Sequence, residues 1–226
     1  MISETKLKAI KSKVPIMLVM LSVILPSSNT FAVANKWEKE TVDDGKITVQ
    51  WSISKNNQSF PQIEYVASSV VQADMQKMIA VLKDVENHKI FNDDRDSKML
   101  NELSRNEWDI YYLSKAPWPL SPSETFAKMI LEEDTGRKKA LFKINIDAQK
   151  KHPRKENTHL MTDMNVTYTF IDVGGGNIEI SIQSRSVAPI KVPAWMINAY
   201  FPDGPADTIT KIVELSQRKP NKPDVR

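Results

Sequence analysis

No cysteine occurs in the 226 residues. Disulfides, thiol catalysis and Cys-ligated metals are thereby excluded, and so is a lipoprotein anchor, which needs a cysteine at the export cleavage site. Histidine is scarce: His88, His152 and His159 are the whole set. None lies in a serine-hydrolase or metal motif, so a solvated or hydrogen-bonded imidazole is the expectation at each. Three of the six glycines form one run, Gly174-Gly175-Gly176. No helix pattern follows it, which makes it a turn and excludes a phosphate cradle. A membrane-spanning run is missing too. The apolar stretch Val14 to Leu25 covers about 18 Å at a ~1.5 Å helical rise, short of a ~30 Å hydrocarbon core.

That stretch instead has the setting of an export signal. Lys6, Lys8, Lys11 and Lys13 precede it, Pro26-Ser27-Ser28-Asn29 follows, and small residues then stand at cleavage spacing, favouring a cut after Ala32 or Ala34. The expected arrangement is a secretory signal peptide over 1–34, one domain over 35–217 and a disordered tail over 218–226. The predicted location is extracytoplasmic, in a periplasm or secreted. The chain carries 31 basic and 28 acidic residues; removing the leader's four lysines and one glutamate leaves 27 against 27. Nothing in a neutral domain implies a nucleic-acid partner, which would need a basic face or stripe. The dense run Lys150-Lys151-His152-Pro153-Arg154-Lys155 reads as a solvated loop, with transient contact to an anionic membrane surface as the alternative. A monomer without cofactor or metal is expected.

Hydrophobic periodicity sets out the domain. Ile47, Val49, Trp51 and Ile53 alternate as in a half-buried strand, and Phe60 to Val71 reads as a second strand after a turn at Asn56-Asn57. Met75, Met78, Ile79, Leu82 and Val85 form the stripe of a helix of about four turns, ending near Asn87-His88. A polar stretch precedes several strands, at 107–116, 124–132, 140–146 and 166–170. The last of these turns through Gly174-Gly175-Gly176-Asn177 into Ile178, Ile180 and Ile182, the strongest hairpin signal present. A long final helix starts at Pro193-Ala194-Trp195, is broken near Pro202 and Pro205, and carries Ile209, Ile212 and Val213 on one face. The fold class is therefore α+β: a curved antiparallel sheet wrapped around a C-terminal helix. A sheet cannot close tightly on one helix, so an internal apolar cavity is expected.

Two segments carry a family resemblance. Trp108-Asp109-Ile110-Tyr111-Tyr112-Leu113-Ser114-Lys115-Ala116-Pro117-Trp118-Pro119 resembles the strand and Pro-Trp-Pro turn of START domains. Val187-Ala188-Pro189-Ile190-Lys191-Val192-Pro193-Ala194-Trp195-Met196-Ile197-Asn198 resembles that family's Pro-x-Trp-x-x-Asn approach to its last helix. Val81-Leu82-Lys83-Asp84 and its loop are a weaker match, and together the likeness covers about 45–217. It implies a helix-grip fold with a tunnel for sterols, phospholipids or other hydrophobic molecules. One departure is Ser123-Glu124, where many members have Arg-Asp, a pair read as structural.

The aromatic and methionine residues divide between core and cavity wall. Trp108, Tyr111, Tyr112, Met164, Trp195, Met196 and Tyr200 are the candidates for ligand contact, with Trp118 a structural plug in its turn. Glu132-Glu133-Asp134 reads as a solvated turn. A calcium loop at Asn92-Asp93-Asp94-Arg95-Asp96 lacks the glycine and terminal glutamate of an EF-hand. The expectation is a non-enzymatic carrier or sensor of a lipid or other hydrophobic small molecule. Access would lie at the Asp134–Arg137 turn or the Pro202–Pro205 break. The rivals are a cyclase/aromatase-type enzyme using the same cavity, and an envelope interaction module without a ligand.

Overall fold

The computed structural model describes residues 36–116, 119–147 and 154–218. The proposed signal peptide, Trp118, most of the Lys150–Lys155 run and the tail beyond Arg218 lie outside the described residues. The first strands are β1 (Glu38–Val42), β2 (Ile47–Lys55) and β3 (Pro61–Gln72). The chain then passes through α1 (Met75–Lys83), a 3-10 turn (Val85–Asn87) and α2 (His88–Phe91). A run of strands follows: β4 (Asp96–Ser104), β5 (Glu107–Ser114), β6 (Ser123–Asp134), β7 (Lys139–Ile146), β8 (His159–Leu160), β9 (Met164–Gly174) and β10 (Asn177–Val187). Helices α3 (Ala194–Asn198) and α4 (Asp203–Gln217) complete the described chain.

The strands form one curved sheet in the order β1-β2-β3-β10-β9-β7-β6-β5-β4. Every pairing along that path is antiparallel; β8 alone pairs in parallel, against β6. Period-2 alternation sends Val49, Trp51, Ala67, Ile110, Met129, Phe142, Phe170, Ile180 and Ile182 into one core. Met78, Ile79 and Leu82 of α1 and Ile209 and Ile212 of α4 close that core from the helical side, and α1 and α4 touch each other. This is the helix-grip arrangement.

Two elements depart from the sequence reading. The first helix ends at Lys83, a turn earlier than expected. Asp84 leaves the helical region at φ −82° and ψ 74°, and its carboxylate accepts a bond from the Asn87 side chain at 2.6 Å, competing with continued helix. Val85 still reaches the core, on the 3-10 turn. Strand β4 was hidden in what read as a polar stretch. It is a mostly exposed edge strand with two register shifts against β5, so no alternation marks it. The expected break in the final helix is present: α3 and α4 are separated by a segment with a cis Phe201–Pro202 bond. Pro205 is accommodated because it lies in the first turn of α4, where a backbone N–H has no partner four residues back.

Candidate ligand-binding site

Two cavities lie between the sheet and the C-terminal helices, and Tyr65 and Tyr200 belong to the walls of both. The inner one has a volume of ≈ 200 Å³ and a polar wall that includes Tyr65, Tyr112, Tyr168, Tyr200 and Asp94. The outer one, ≈ 330 Å³, is walled chiefly by apolar groups: Ile63, Leu120, Ile190, Val192, Ile197 and Phe201. Register explains the inner wall. Tyr65 of β3 pairs with Ser184 of β10, Ser184 with Val166 of β9, and Val166 with Ile144 of β7. This row crosses four strands at one level. Thr125 of β6, paired with Tyr112 of β5, extends the wall toward the far edge.

The inner tyrosines are tied by their hydroxyls. Tyr112 donates to His88 Nδ1 at 2.7 Å, while His88 Nε2 lies 2.8 Å from the Leu82 carbonyl oxygen. A carbonyl only accepts, so Nε2 carries the ring proton and Nδ1 receives the tyrosine hydrogen. His88 is fully buried. Burial lowers its pKa to about 4 against the opposing pull of the Leu82 carbonyl and Asp84, so the ring is neutral. Tyr168 donates to Asn92 Oδ1 at 3.2 Å, and Tyr65 is hydrogen-bonded with Ser184. Desolvation raises the pKa of Tyr65, Tyr112 and Tyr168 well above the ordinary phenol range. Tyr200 is 47% exposed as a residue, yet its hydroxyl end is desolvated enough to be pushed up to about 12. Asp94 is raised to about 6 by burial, against hydrogen bonds from Ser114 and Asn92 and the attraction of Lys115.

Tyr200 depends on a glycine. A Cβ at position 204 would overlap the Tyr200 ring, so only glycine lets the ring lie against the first turn of α4. A shallower depression over Asp203, Gly204 and Asp207 shares Tyr200 and Thr208 with the inner cavity. The Pro202–Pro205 break thus borders the site, whereas Asp134–Arg137 lines neither cavity.

The seven sequence candidates separate. Tyr112, Met164 and Tyr200 line the inner cavity, and Met196 and Tyr200 the outer. Trp108 is buried in the core under Lys83, whose Nζ lies 5.7 Å from its ring, and lines neither cavity. Tyr111 requires correction: next to inward-facing Tyr112, it faces the opposite side of the sheet. There it donates to Glu124 at 2.9 Å. Trp195 also requires correction, being 69% exposed. Helix α3 turns Ile197 into the core, and two residues are about 200° around a helix, so Trp195 faces solvent.

Residues that sequence reasoning missed include Tyr65, Asp94, Tyr168 and Ser184. Tyr65 and Tyr168 left a signal, a phenol on a strand whose other inward positions are mainly aliphatic. Asp94 left none. His88 is hydrogen-bonded through both ring nitrogens, one of the two states expected of it, and it opens α2 within the core. The carboxylates considered for calcium diverge: Asp93 pairs with Lys115 at 2.5 Å and Asp96 with Lys98 at 3.1 Å, while Asp94 turns to the cavity. Among the described residues no three His, Asp or Glu side chains converge as a metal site, and no helix is long and apolar enough to cross a membrane.

Glu124 organises the other face. It is 1% exposed and also accepts from the Lys155 backbone N–H at 3.0 Å and the Thr158 hydroxyl at 2.7 Å. Burial would raise its pKa, but these bonds and the one from Tyr111 outweigh it and hold the carboxyl below the usual range. Lys155 Nζ sits 5.3 Å from the Tyr111 ring. The cluster fastens residues 154–160, with β8, onto β6.

No protein-family model matches the chain, and no curated protein matches it by sequence. Similarity is found among solved structures. The STAR-related lipid transfer protein of Xanthomonas axonopodis superposes with a TM-score of 0.67 at 17% identity, over 80% of this chain and 99% of that one. The human StarD13 lipid transfer and protein localization domain gives 0.63 at 14%, over 83% and 92%. Human StAR-related lipid transfer protein 5 gives 0.66 at 8%, over 80% and 86%. The chain has the START fold, a helix-grip architecture.

Proposed function

We propose that this protein binds a lipid or other hydrophobic small molecule between its sheet and C-terminal helices, as a carrier or sensor and not as an enzyme. The observation that carries this reading is the apolar outer cavity beside α3, which shares Tyr65 and Tyr200 with the polar-walled inner cavity. Such a shape suits an amphiphile. Burying its apolar body gains ~25 cal/mol per Å², and its polar end finds hydrogen-bonding groups. The likeness to lipid transfer domains supports the same reading. The two volumes together fall near the lower part of the ~300–1,000 Å³ range of ligand pockets, which points to a compact ligand.

The reading includes a location, outside the cytoplasm after cleavage near Ala32 or Ala34, supported by the charged, apolar and small-residue order of residues 1–34. Native mass spectrometry of protein taken from its own envelope fraction, followed by organic extraction, tests both. The expected result is a mature mass beginning at Val33 or Asn35 and a bound hydrophobic adduct. A ligand-free protein that also fails to take up any amphiphile in vitro would overturn the binding function, and an intact leader would overturn the location.

A further inference from the structure

The inner cavity has a chemical bias that lipid binding in general does not require. We propose that it receives the ammonium group of a protonated primary amine whose apolar body occupies the outer cavity, with Asp94 as the counter-charge. This rests on the binding function proposed above and names its ligand class.

Charge is the first ground. Among the described residues lining the inner cavity, Asp94 is the one acidic side chain and none is basic. Lys115, in the outer wall, is already paired with Asp93 at 2.5 Å. An anionic headgroup would meet Asp94 with only Lys115, already paired with Asp93, in electrostatic reach, and a phosphodiester would meet the same obstacle. A cation supplies what the cavity lacks.

The second ground is the direction of the hydrogen bonds. Tyr112 and Tyr168 commit their hydrogens to His88 and Asn92, which leaves their oxygens as acceptors. The His88 tautomer is set by the Leu82 carbonyl, so the Tyr112 hydrogen stays committed. A primary ammonium offers three donors and no acceptor, the complement of two phenol oxygens and a carboxylate. Four tyrosines in the wall also provide π-systems that attract a cation.

Four other ionisable features adjoin the group. Asp93 and Lys115 neutralise each other at its edge. Asp207 and Lys211 of α4 pair at 2.5 Å, the phenols stay protonated, and His88 is neutral down to about pH 4. Protonation of Asp94 is then the event that removes the counter-charge as pH falls through about 6.

Isothermal titration of the purified full chain with decylamine, decanol and decanoate, each below its aggregation limit, tests the assignment. At pH 7.5 decylamine should bind roughly tenfold or more tightly than either other probe. Asp94→Asn should abolish that preference, so that decylamine binds no more tightly than decanol, and the wild-type preference should fade at pH 5. Tyr112→Phe should weaken decylamine more than decanol. Equal or tighter binding of decanol or decanoate, or a decylamine preference untouched by Asp94→Asn, overturns the inference while the binding function stands. If none of the three probes binds, both fall.

Discussion

Tyr111 and Tyr112 are neighbours in one strand, both buried and both hydrogen-bonded through their hydroxyls, yet they serve opposite faces. Tyr111 donates to a charged acceptor, Glu124, in a cluster that fastens a strap to the outer face. Tyr112 donates to a neutral one, His88, at the wall of a cavity. A carboxylate with three donors is a fastening, because every bond is charge-assisted and satisfied. A neutral ring holding a phenol whose oxygen still has lone pairs leaves capacity for a guest. The type of acceptor, more than the tyrosine, separates scaffold from site.

The largest break should come from Glu124→Ala, which leaves the Tyr111 hydroxyl, the Lys155 amide and the Thr158 hydroxyl without their acceptor. A loss of about 3 kcal/mol in urea unfolding is expected, with faster proteolysis within 154–160. Tyr111→Phe and Tyr112→Phe should each cost about 1–2 kcal/mol, but only the second should alter ligand affinity. Equal effects on binding would erase the distinction between the faces.

His88 has a lowered pKa, so its stability contribution is present above its ordinary value of 6.5 and is lost as pH falls toward about 4. Asp94 has a raised pKa, so its destabilising burial is relieved as pH falls through about 6 toward 3.8. The two trends oppose each other across the same window. Urea midpoints of the wild type should therefore change little between pH 6.5 and 4.5 on account of this pair. Asp94→Asn should be more stable at pH 7.5 by about 1–2 kcal/mol and should lose stability on acidification. A variant with a pH profile parallel to the wild type would refute the opposition. Trp195→Ala should be the smallest effect, within about 0.5 kcal/mol, since the indole is mostly solvent-facing. A larger loss would place Trp195 in the core after all.

Much of the scaffold is legible in the sequence. Strands with one inward apolar face, such as β7 with Ala140, Phe142 and Ile144, announce themselves because burial and pleat share a period of two. Strand β4 was illegible for the complementary reason: bulged and exposed at the sheet edge, it has no buried face to impose a pattern. The candidate site was half legible. Tyr112, Met164, Met196 and Tyr200 stood in recognisable segments, but alternation alone does not say which face is the inner one, and Tyr111 was indistinguishable from Tyr112 by composition. Asp94 gave no signal because a solvated carboxylate and a cavity carboxylate look alike in a polar stretch.

Local sequence by itself determined most of the elements and their order, through periodicity, the Gly174–Gly176 turn and the proline positions around α3 and α4, because those are decided by near neighbours along the chain. Which face each side chain joined was decided by the tertiary structure. Only the pairing of β3 with β10 brings Tyr65 beside Ser184, and only the missing Cβ at Gly204 lets Tyr200 lie over α4. Burial moved the pKa of His88 down and that of Asp94 up, and burial is a property of the assembled sheet and helices.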